Sequence, residues 1–320
     1  MGCFLGIDGG GTRTVALLAN DEGQLLGRAE SGPSNPLKVG FRKAEREILE
    51  AVRACRKEAG VPVAARSSRG RLLNAVCAGI AGVDRPAAHR PLLAWMRRHI
   101  PARHHLLTSD AAIALAAAVR NRPGIIVIAG TGSIAFARDD KGKVLRAGGW
   151  GVPYDDRGSG YDLGRTAVQA ALEAFDGRGP HTALMDAICR RLGLSNISEI
   201  IAQRLEQQQI AALFPLVMDA ARDGDLVARH LCDAAACHLA DLAVALLKRA
   251  GWMRRATPVI TTGGVFQSSN LIRRAFARHL RRFAPQAHVE LLQRHPVEGA
   301  LWLARTLDKT GSQGKRRSED

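Results

Sequence analysis

Short apolar runs alternate with stretches of helical periodicity along the first 120 residues. Runs of four to eight apolar residues between turn residues predict strands, and apolar residues spaced three and four apart predict amphipathic helices. The predicted strands cover 3–7, 15–19, 24–30, 72–78 and 104–108, and the predicted helices cover 40–59, 86–99 and a segment from Ser109 or Asp110. The first half therefore has a βββαβαβα order that begins with an antiparallel meander.

The meander returns in the second half of the chain. Predicted strands over 125–129 and 134–138 flank Gly130–Ser133, and the following segment from Asp140 matches the one from Asp21. Helical segments over 161–250, a strand over 258–262, a helix from about 268, a strand over 287–292 and a helix over 296–307 complete the pattern. This internal repeat predicts two related α/β domains that face each other across a cleft.

Each half carries a glycine-rich turn that could bind phosphate. Glycine lets backbone N–H groups approach an anion, and the hydroxyls of Thr12 and Thr14 could add donors. Neither of the two commonest phosphate-loop spacings is present, because Thr14 stands where a third glycine would be expected. An ordinary hairpin turn also explains the first turn taken alone. Its repetition at Gly130–Ser133 favours phosphate binding.

Composition and charge limit the remaining classes of function. The chain has 320 residues, 46% of them hydrophobic, and two domains are expected at this length. No apolar run approaches a membrane span, so we expect a cytoplasmic protein with no membrane partner. The formal charge is +16, but the basic residues are spread over many helices and aromatic residues are few, so nucleic acid is not expected as a partner. The six cysteines show no metal-ligand spacing.

The ordered motifs together resemble the actin, hexokinase and Hsp70 superfamily. Within it the chain resembles the BadF/BadG/BcrA/BcrD family, and in particular the N-acetylglucosamine kinases. The motifs that carry the resemblance are Ile7–Thr12, Ala129–Ser133 and Thr261–Val265 for ATP, together with Gly32–Asn35, Ser109–Ala112, Gly148–Gly151 and Gly158–Tyr161. The resemblance extends over nearly the whole chain to about residue 307.

The resemblance implies an α/β fold of two ribonuclease H-like domains, the actin-like ATPase fold, facing a central cleft. The implied N-terminal domain covers 1–119 with 296–307 and holds the first phosphate motif and the acceptor sugar. The C-terminal domain covers 120–295 and holds the second phosphate motif and the adenosine motif. Residues 308–320 are expected to form a disordered tail.

The resemblance also implies transfer of the ATP γ-phosphoryl group to the 6-hydroxyl of an amino sugar, with Mg²⁺ as cofactor. Asp8 would hold Mg²⁺ through water, and Asp110 would be the general base. The implied ATP-binding residues are Gly10, Gly11, Thr12, Gly130, Thr131, Gly132, Gly263 and Gly264, and the implied sugar-binding residues are Asn35, Trp150, Gly151 and Asp156. A homodimer is left open.

Structural roles remain as alternatives for three of these residues. Asp110 precedes an alanine-rich helix, where Asp or Ser is a common N-cap. Asn35 could be a turn residue before Pro36, and Trp150 could be a core residue.

Two positions depart from the pattern of the N-acetylglucosamine kinases. Ile134 stands where mammalian members carry a sugar-contacting Asn, and Asp155-Asp156-Arg157 replaces a usual Gly-Asp-Glu. Recognition of the N-acetyl group is therefore open, and a kinase for glucosamine or another hexose is the alternative. An ATPase activator of an iron–sulfur enzyme and a non-catalytic sugar or nucleotide sensor are further alternatives.

Overall fold

The computed structural model describes residues 2–61 and 73–316, with side chains as far as residue 307. The chain divides into two compact units, one formed by residues 1–121 and 293–320 and the other by residues 122–292. The strands are β1 (Cys3–Gly9), β2 (Thr14–Asn20), β3 (Leu25–Ser31), β4 (Leu73–Ile80), β5 (Ala102–Thr108), β6 (Gly124–Ala129), β7 (Ser133–Arg138), β8 (Val144–Gly148), β9 (Pro258–Thr262) and β10 (His288–Leu291). The α-helices are α1 (Pro36–Val39), α2 (Phe41–Glu58), α3 (Pro86–His99), α4 (Asp110–Val119), α5 (Gly160–Phe175), α6 (Leu184–Leu192), α7 (Gln207–Ala211), α8 (Phe214–Arg222), α9 (Leu226–Ala250), α10 (Gly264–Ser268), α11 (Asn270–Phe283) and α12 (Pro296–Arg316), and a 3₁₀ helix covers Ile197–Gln203.

The first unit contains a mixed sheet with the strand order β3-β2-β1-β4-β5. The β1–β2–β3 meander is antiparallel, whereas β4 pairs in parallel with β1 and with β5. The carboxyl ends of β1, β4 and β5 therefore lie at the same edge of the sheet, which is the edge where ligands bind in open α/β sheets.

The central strands β2, β1 and β4 are buried on both faces, which explains their continuous apolar sequences. Leu5 and Ile7 pack with Ile48 of α2 on one face. Phe4, which points to the opposite face, packs with Ile113 of α4 and Leu301 of α12. The alternation of side chains along β1 thus places helices from distant parts of the chain on the two faces.

The second unit repeats this topology. Its strand order is β8-β7-β6-β9-β10, with an antiparallel β6–β7–β8 meander and parallel β9 and β10. The predicted repeat and the predicted α/β class are confirmed, and each unit contains one mixed five-stranded sheet. Because β6 and β9 are parallel neighbours, the turns that follow them lie side by side.

Helix α9 is the one helix in the described residues that is long and apolar enough to cross a membrane by length and composition. Half of its most apolar window is buried inside the protein. Cys232, Ala236, Leu239 and Leu247 lie in the core of the second unit. A core helix passes the same test of length and composition, so this helix is weak evidence for a membrane span.

The C-terminal helix differs from its predicted end. Helix α12 continues to Arg316, whereas the sequence pattern predicted an end at residue 307 and a disordered tail over 308–320. Residues 308–316 contain no proline, and the helix continues through Gly311 and Gly314 although glycine has a low helix propensity. Residues 317–320 lie outside the described part of the chain.

Candidate active site

The first glycine turn joins β1 to β2 and is fastened to two neighbouring loops. The N–H of Gly10 donates to the carbonyl of Arg13 at 2.9 Å and closes the turn. The Gly10 carbonyl accepts from the N–H groups of Ser34 and Asn35 at 3.0 and 3.2 Å, and the Gly9 carbonyl accepts from Ala81 N–H at 2.8 Å. The loops after β3 and β4 are therefore held at the turn.

The two threonines of this turn have different roles. Thr14 is fully buried, and its hydroxyl donates to the Gly32 carbonyl and lies 2.7 Å from the Ser34 hydroxyl. The expectation that Thr14 donates to phosphate is therefore wrong, because its proton is used inside the unit. Thr12 is exposed, and none of the residues 2–61 and 73–316 hydrogen-bonds its hydroxyl. Thr12 is the hydroxyl of this turn that a ligand can reach.

Asp8 lies near the carboxyl end of β1, where its side chain is 18% exposed. Burial, with a smaller contribution from the charge of Asp110, raises the pKa of Asp8 to about 7, although the charge of Arg13 acts to lower it. His295, just before α12, places Nδ1 3.8 Å from Asp8 Oδ2, and Arg13 lies 3.3 Å from its Nε2. No local sequence pattern predicts this contact, because His295 is 287 positions after Asp8 and reaches the turn only through the packing of α12.

The Asp8 site fits Mg²⁺ only when phosphate supplies further ligands. In the described residues, no group of three or more His, Cys, Asp or Glu side chains could hold a metal. Mg²⁺ is commonly held by one or two carboxylates together with substrate phosphates and water. A poorly solvated carboxylate at a glycine turn matches this requirement.

Asp110 is the first residue of α4 and does not cap the helix. The cap is Ser109, whose side chain accepts from the N–H of Ala112. Asp110 is reachable from solvent at the carboxyl edge of the sheet, and its Oδ1 accepts from the N–H of Ala111 at 2.9 Å. Burial removes water from around this carboxyl and raises its pKa. The hydrogen bond from Ala111 acts to lower the pKa, and the negative charge of Asp84 acts to raise it. An accessible carboxyl with a raised pKa suits a general base.

Asn35 is buried and has the turn-forming role considered for it. Its Oδ1 accepts from the N–H of Leu37 at 3.0 Å and caps α1. The side-chain amide can still donate to a ligand. The predicted sugar residue is thus fixed to the first turn through its own backbone.

The second glycine turn joins β6 to β7 and is held by the start of α5. The Gly130 carbonyl accepts from Gly160 N–H at 2.8 Å, and the Thr131 carbonyl accepts from Tyr161 N–H at 3.3 Å. Thr131 itself is exposed. The third turn lies beside it, since a Cβ on Gly263 would come within 2.3 Å of the Ala129 carbonyl oxygen.

Several glycines of these turns have no steric reason within the protein to be glycine. A Cβ at Gly130 would meet nothing within 4 Å, and a Cβ at Gly10, Gly11 or Gly264 would meet atoms only at 3.5 Å or more. None of the four has a positive φ. Gly132 and Gly263 differ, because a Cβ there would contact Asp156 at 2.7 Å or Ala129 at 2.3 Å. The open space beside the four unconstrained glycines is available to a ligand.

The predicted sugar residues are divided between the units, with Trp150, Gly151 and Asp156 in the second. Trp150 is 72% exposed, so its interpretation as a core residue is wrong. Its ring stacks under the guanidinium of Arg146, with 4.9 Å from the guanidinium carbon to the ring centroid. Gly151 has a φ of +82° and open space at its Cβ position.

Asp156 is buried in the loop between β8 and α5. Its Oδ1 accepts from the N–H of Ser133 at 3.3 Å, and burial raises its pKa. The Ser133 hydroxyl donates to the Arg157 carbonyl at 2.8 Å. This loop, which contains the departure at Asp155-Asp156-Arg157, is therefore fastened to the second glycine turn.

A cavity of about 610 Å³ lies at the junction between the end of α10 and the start of α11. Its lining includes Met218, Arg222, Arg229, Ser268, Asn270 and Arg274. The sequence pattern did not identify this cavity, because its arginines come from three helices that meet only in the folded unit.

The chain matches a known protein family over almost its whole length. The sequence pattern of the BadF/BadG/BcrA/BcrD ATPase family matches residues 5–304. The chain belongs to this family. All the residues predicted for the site lie inside the matched range, and ATP is the nucleotide that the family name implies.

This chain is 31% identical to the N-acetylmuramic acid/N-acetylglucosamine kinase of Clostridium acetobutylicum, over 94% of this chain and 98% of that relative. It is 28% identical to the N-acetyl-D-glucosamine kinase of Dictyostelium discoideum, over 94% of this chain and 97% of the relative. A crystal structure of a candidate N-acetylglucosamine kinase from Chromobacterium violaceum is 31% identical, covers 95% of this chain and 99% of its own, and has a TM-score of 0.77. The structural likeness confirms the two-unit kinase fold.

Proposed function

We propose that this family member is an ATP-dependent kinase that phosphorylates the 6-hydroxyl of an amino sugar, with N-acetylglucosamine as the substrate. Two relatives that match almost the full chain are named as kinases of N-acetylglucosamine, which supports the sugar and the reaction class. We propose the cytoplasm as its location, because ATP is available there to a sugar kinase.

The observation that carries the proposal is the open space at the glycine turns, the first of which follows Asp8 in the unit that also contains Asp110. Gly10, Gly11 and Gly130 need not be glycine for the fold, as no atom lies closer than 3.5 Å to a Cβ built there. A phosphate chain of ATP would fill such space and accept from the turn N–H groups. Asp110 carries the carboxyl that a phosphoryl acceptor requires.

In the transfer step, a new bond between oxygen and phosphorus replaces an existing one. The sugar hydroxyl oxygen bonds to the γ-phosphorus, and the bond from that phosphorus to the β–γ bridging oxygen breaks, with its electron pair leaving on ADP. Asp110 accepts the hydroxyl proton. Thr12 and Thr131, both exposed beside their turns, would donate to phosphate oxygens.

Asp8 would hold Mg²⁺ through water, and the ion supplies charge neutralisation to the phosphates. The ionised form of the Asp8 carboxyl would be the one that holds the cation, and its raised pKa of about 7 makes that form pH-dependent near neutrality. Gly263, Gly264 and the arginine-lined cavity would receive the adenosine moiety.

The sugar would contact Asn35, Trp150, Gly151 and Asp156. Glucosamine is the second candidate, because the two departures have structural roles of their own here. Ile134 packs against the Gly149 backbone, where a Cβ would lie 2.3 Å from its Cδ1. Arg157 lies 2.6 Å from His238 Nε2. An apolar Ile134 provides no hydrogen bond to an N-acetyl group.

A coupled ADP-release assay over several sugars tests the proposal. The panel contains N-acetylglucosamine, glucosamine, N-acetylmuramic acid and glucose, and NMR identifies the phosphorylated oxygen. We expect kcat/KM to be highest for N-acetylglucosamine, with the product phosphorylated on the 6-oxygen. Higher kcat/KM for glucosamine would select the second candidate, and no turnover of any sugar would reject the kinase.

A further inference from the structure

Lys38 lies beside the first glycine turn, where no role was predicted for it. A Cβ built on Gly11 would be 3.7 Å from both Cδ and Nζ of Lys38. The side chain is exposed, and no residue within 2–61 or 73–316 forms a hydrogen bond or an ion pair with its ammonium group. A lysine next to unconstrained glycines is thus available to a ligand in the turn.

The backbone of Lys38 is fixed to the turn through Asn35. The N–H of Asn35 donates to the Gly10 carbonyl, and the N–H of Lys38 donates to the Asn35 carbonyl at 3.0 Å. The Asn35 side chain also caps α1, the helix that carries Lys38. The position of Lys38 follows from the same hydrogen bonds that fix the proposed sugar residue.

The other cation of the turn is already engaged. Arg13 lies 3.7 Å from Glu30 and 3.3 Å from His295. Its charge is therefore partly neutralised before any ligand binds. Lys38 supplies the uncompensated positive charge at Gly11.

The sheet indicates which phosphate Lys38 would meet. Strands β1 and β5 both run parallel to β4, with Asp8 near the carboxyl end of β1 and Asp110 just after β5, so the first turn and the proposed base lie at the same edge of the sheet. The phosphoryl group nearest an acceptor on Asp110 must be the γ group. Charge on its three outer oxygens is stabilised by a positioned cation during transfer.

We propose that Lys38 is a catalytic residue whose ammonium group binds the γ-phosphoryl oxygens of ATP. The inference rests on the proposed kinase function and adds a residue to it. The ammonium group interacts with ATP more strongly than with ADP, because ADP lacks the γ group. Lys38 exchanges no proton or electron in the step.

Three variants test this role. Lys38→Met removes the charge at similar length, Lys38→Arg keeps the charge, and Lys43→Met removes an equally exposed charge from the neighbouring helix α2. Calorimetry with Mg²⁺ compares the affinities for ADP and for a non-hydrolysable ATP analogue that has a γ group. The coupled assay gives kcat and KM, and thermal unfolding reports the fold.

For Lys38→Met we expect kcat/KM to fall about 10²-fold to 10³-fold. The analogue should lose about ten times more affinity than ADP, while the melting temperature stays at the wild-type value. Lys38→Arg should recover part of both losses, and Lys43→Met should behave as wild type. An unchanged ratio of the two affinities, or equal losses for both nucleotides with a lower melting temperature, would overturn the proposal. A wild-type protein that phosphorylates no sugar would reject the kinase, yet the affinity ratio would still report the contact of Lys38 with the γ group.

Discussion

Ser109 is the N-cap of helix α4, and Asp110 follows it as the first residue of the helix. The Ser109 hydroxyl oxygen accepts from the N–H of Ala112 at 3.2 Å, whereas Asp110 is already the first residue of the helix. Because the cap and the proposed base are separate side chains, their contributions can be measured separately. We expect Asp110→Asn to lower kcat about 10²-fold to 10⁴-fold, with the fold and nucleotide affinity retained.

The matched control for that variant is Ser109→Ala. Loss of the cap should lower the free energy of unfolding by about 1 kcal/mol while kcat stays near the wild-type value. Steady-state kinetics and urea unfolding of both variants check the pair. Wild-type turnover in Asp110→Asn would remove the base assignment.

The pH dependence of kcat/KM should reflect the environment of Asp110. The surrounding protein raises the pKa of this carboxyl, and the charge of Asp84 contributes to the rise. A general base acts in its ionised form, so activity should increase with pH through this raised pKa. The acid limb should therefore lie above the usual range of an aspartate. Asp84→Asn, which removes one raising charge, should move that limb to lower pH at saturating Mg²⁺. A limb that does not move in this variant would contradict the assignment.

Substitution by alanine should affect ATP binding at one glycine of the second unit and the stability of the fold at another. A Cβ at Gly130 meets nothing within 4 Å, so Gly130→Ala should change the free energy of unfolding by no more than about 0.5 kcal/mol. The same methyl group would occupy the open space beside Gly130 that we assign to an ATP phosphate, and KM for ATP should therefore rise. Gly263 has a φ of +98° and only 2.3 Å to the Ala129 oxygen, so Gly263→Ala should cost about 2–5 kcal/mol. Thermal unfolding without ligand, followed by ATP kinetics, distinguishes the two effects; an unchanged KM in Gly130→Ala would argue against a phosphate site there.

Trp150 offers a test of sugar binding that is separate from stability. Its ring is 72% exposed, so Trp150→Ala should change the free energy of unfolding by less than about 0.5 kcal/mol. Removing an aromatic surface that packs on a sugar should raise KM for the sugar and leave KM for ATP unchanged. Kinetics with each substrate varied in turn checks this, and the reverse pattern would place Trp150 at the nucleotide.

Much of the architecture is encoded locally. The alternating apolar runs predicted the strands within a few residues, and the helix over Pro86–His99 has the predicted bounds. The repeated meander predicted two units of the same topology, since each strand pattern and each turn depends on residues close together in sequence. The end of α12 was placed too early, because the small and polar residues after 307, including Gly311 and Gly314, resemble a tail, whereas the helix continues through them.

The sequence by itself determined the elements, the three glycine turns and the aspartates that end or follow parallel strands. The tertiary structure decided which of these groups a ligand can reach: Thr12 is exposed while Thr14 is buried, and Asn35 caps α1 while Trp150 is exposed. It also placed His295 at Asp8 and Lys38 at Gly11. Local periodicity and turn chemistry act over a few residues, whereas contacts across many residues depend on strand order and on how helices pack against the sheet.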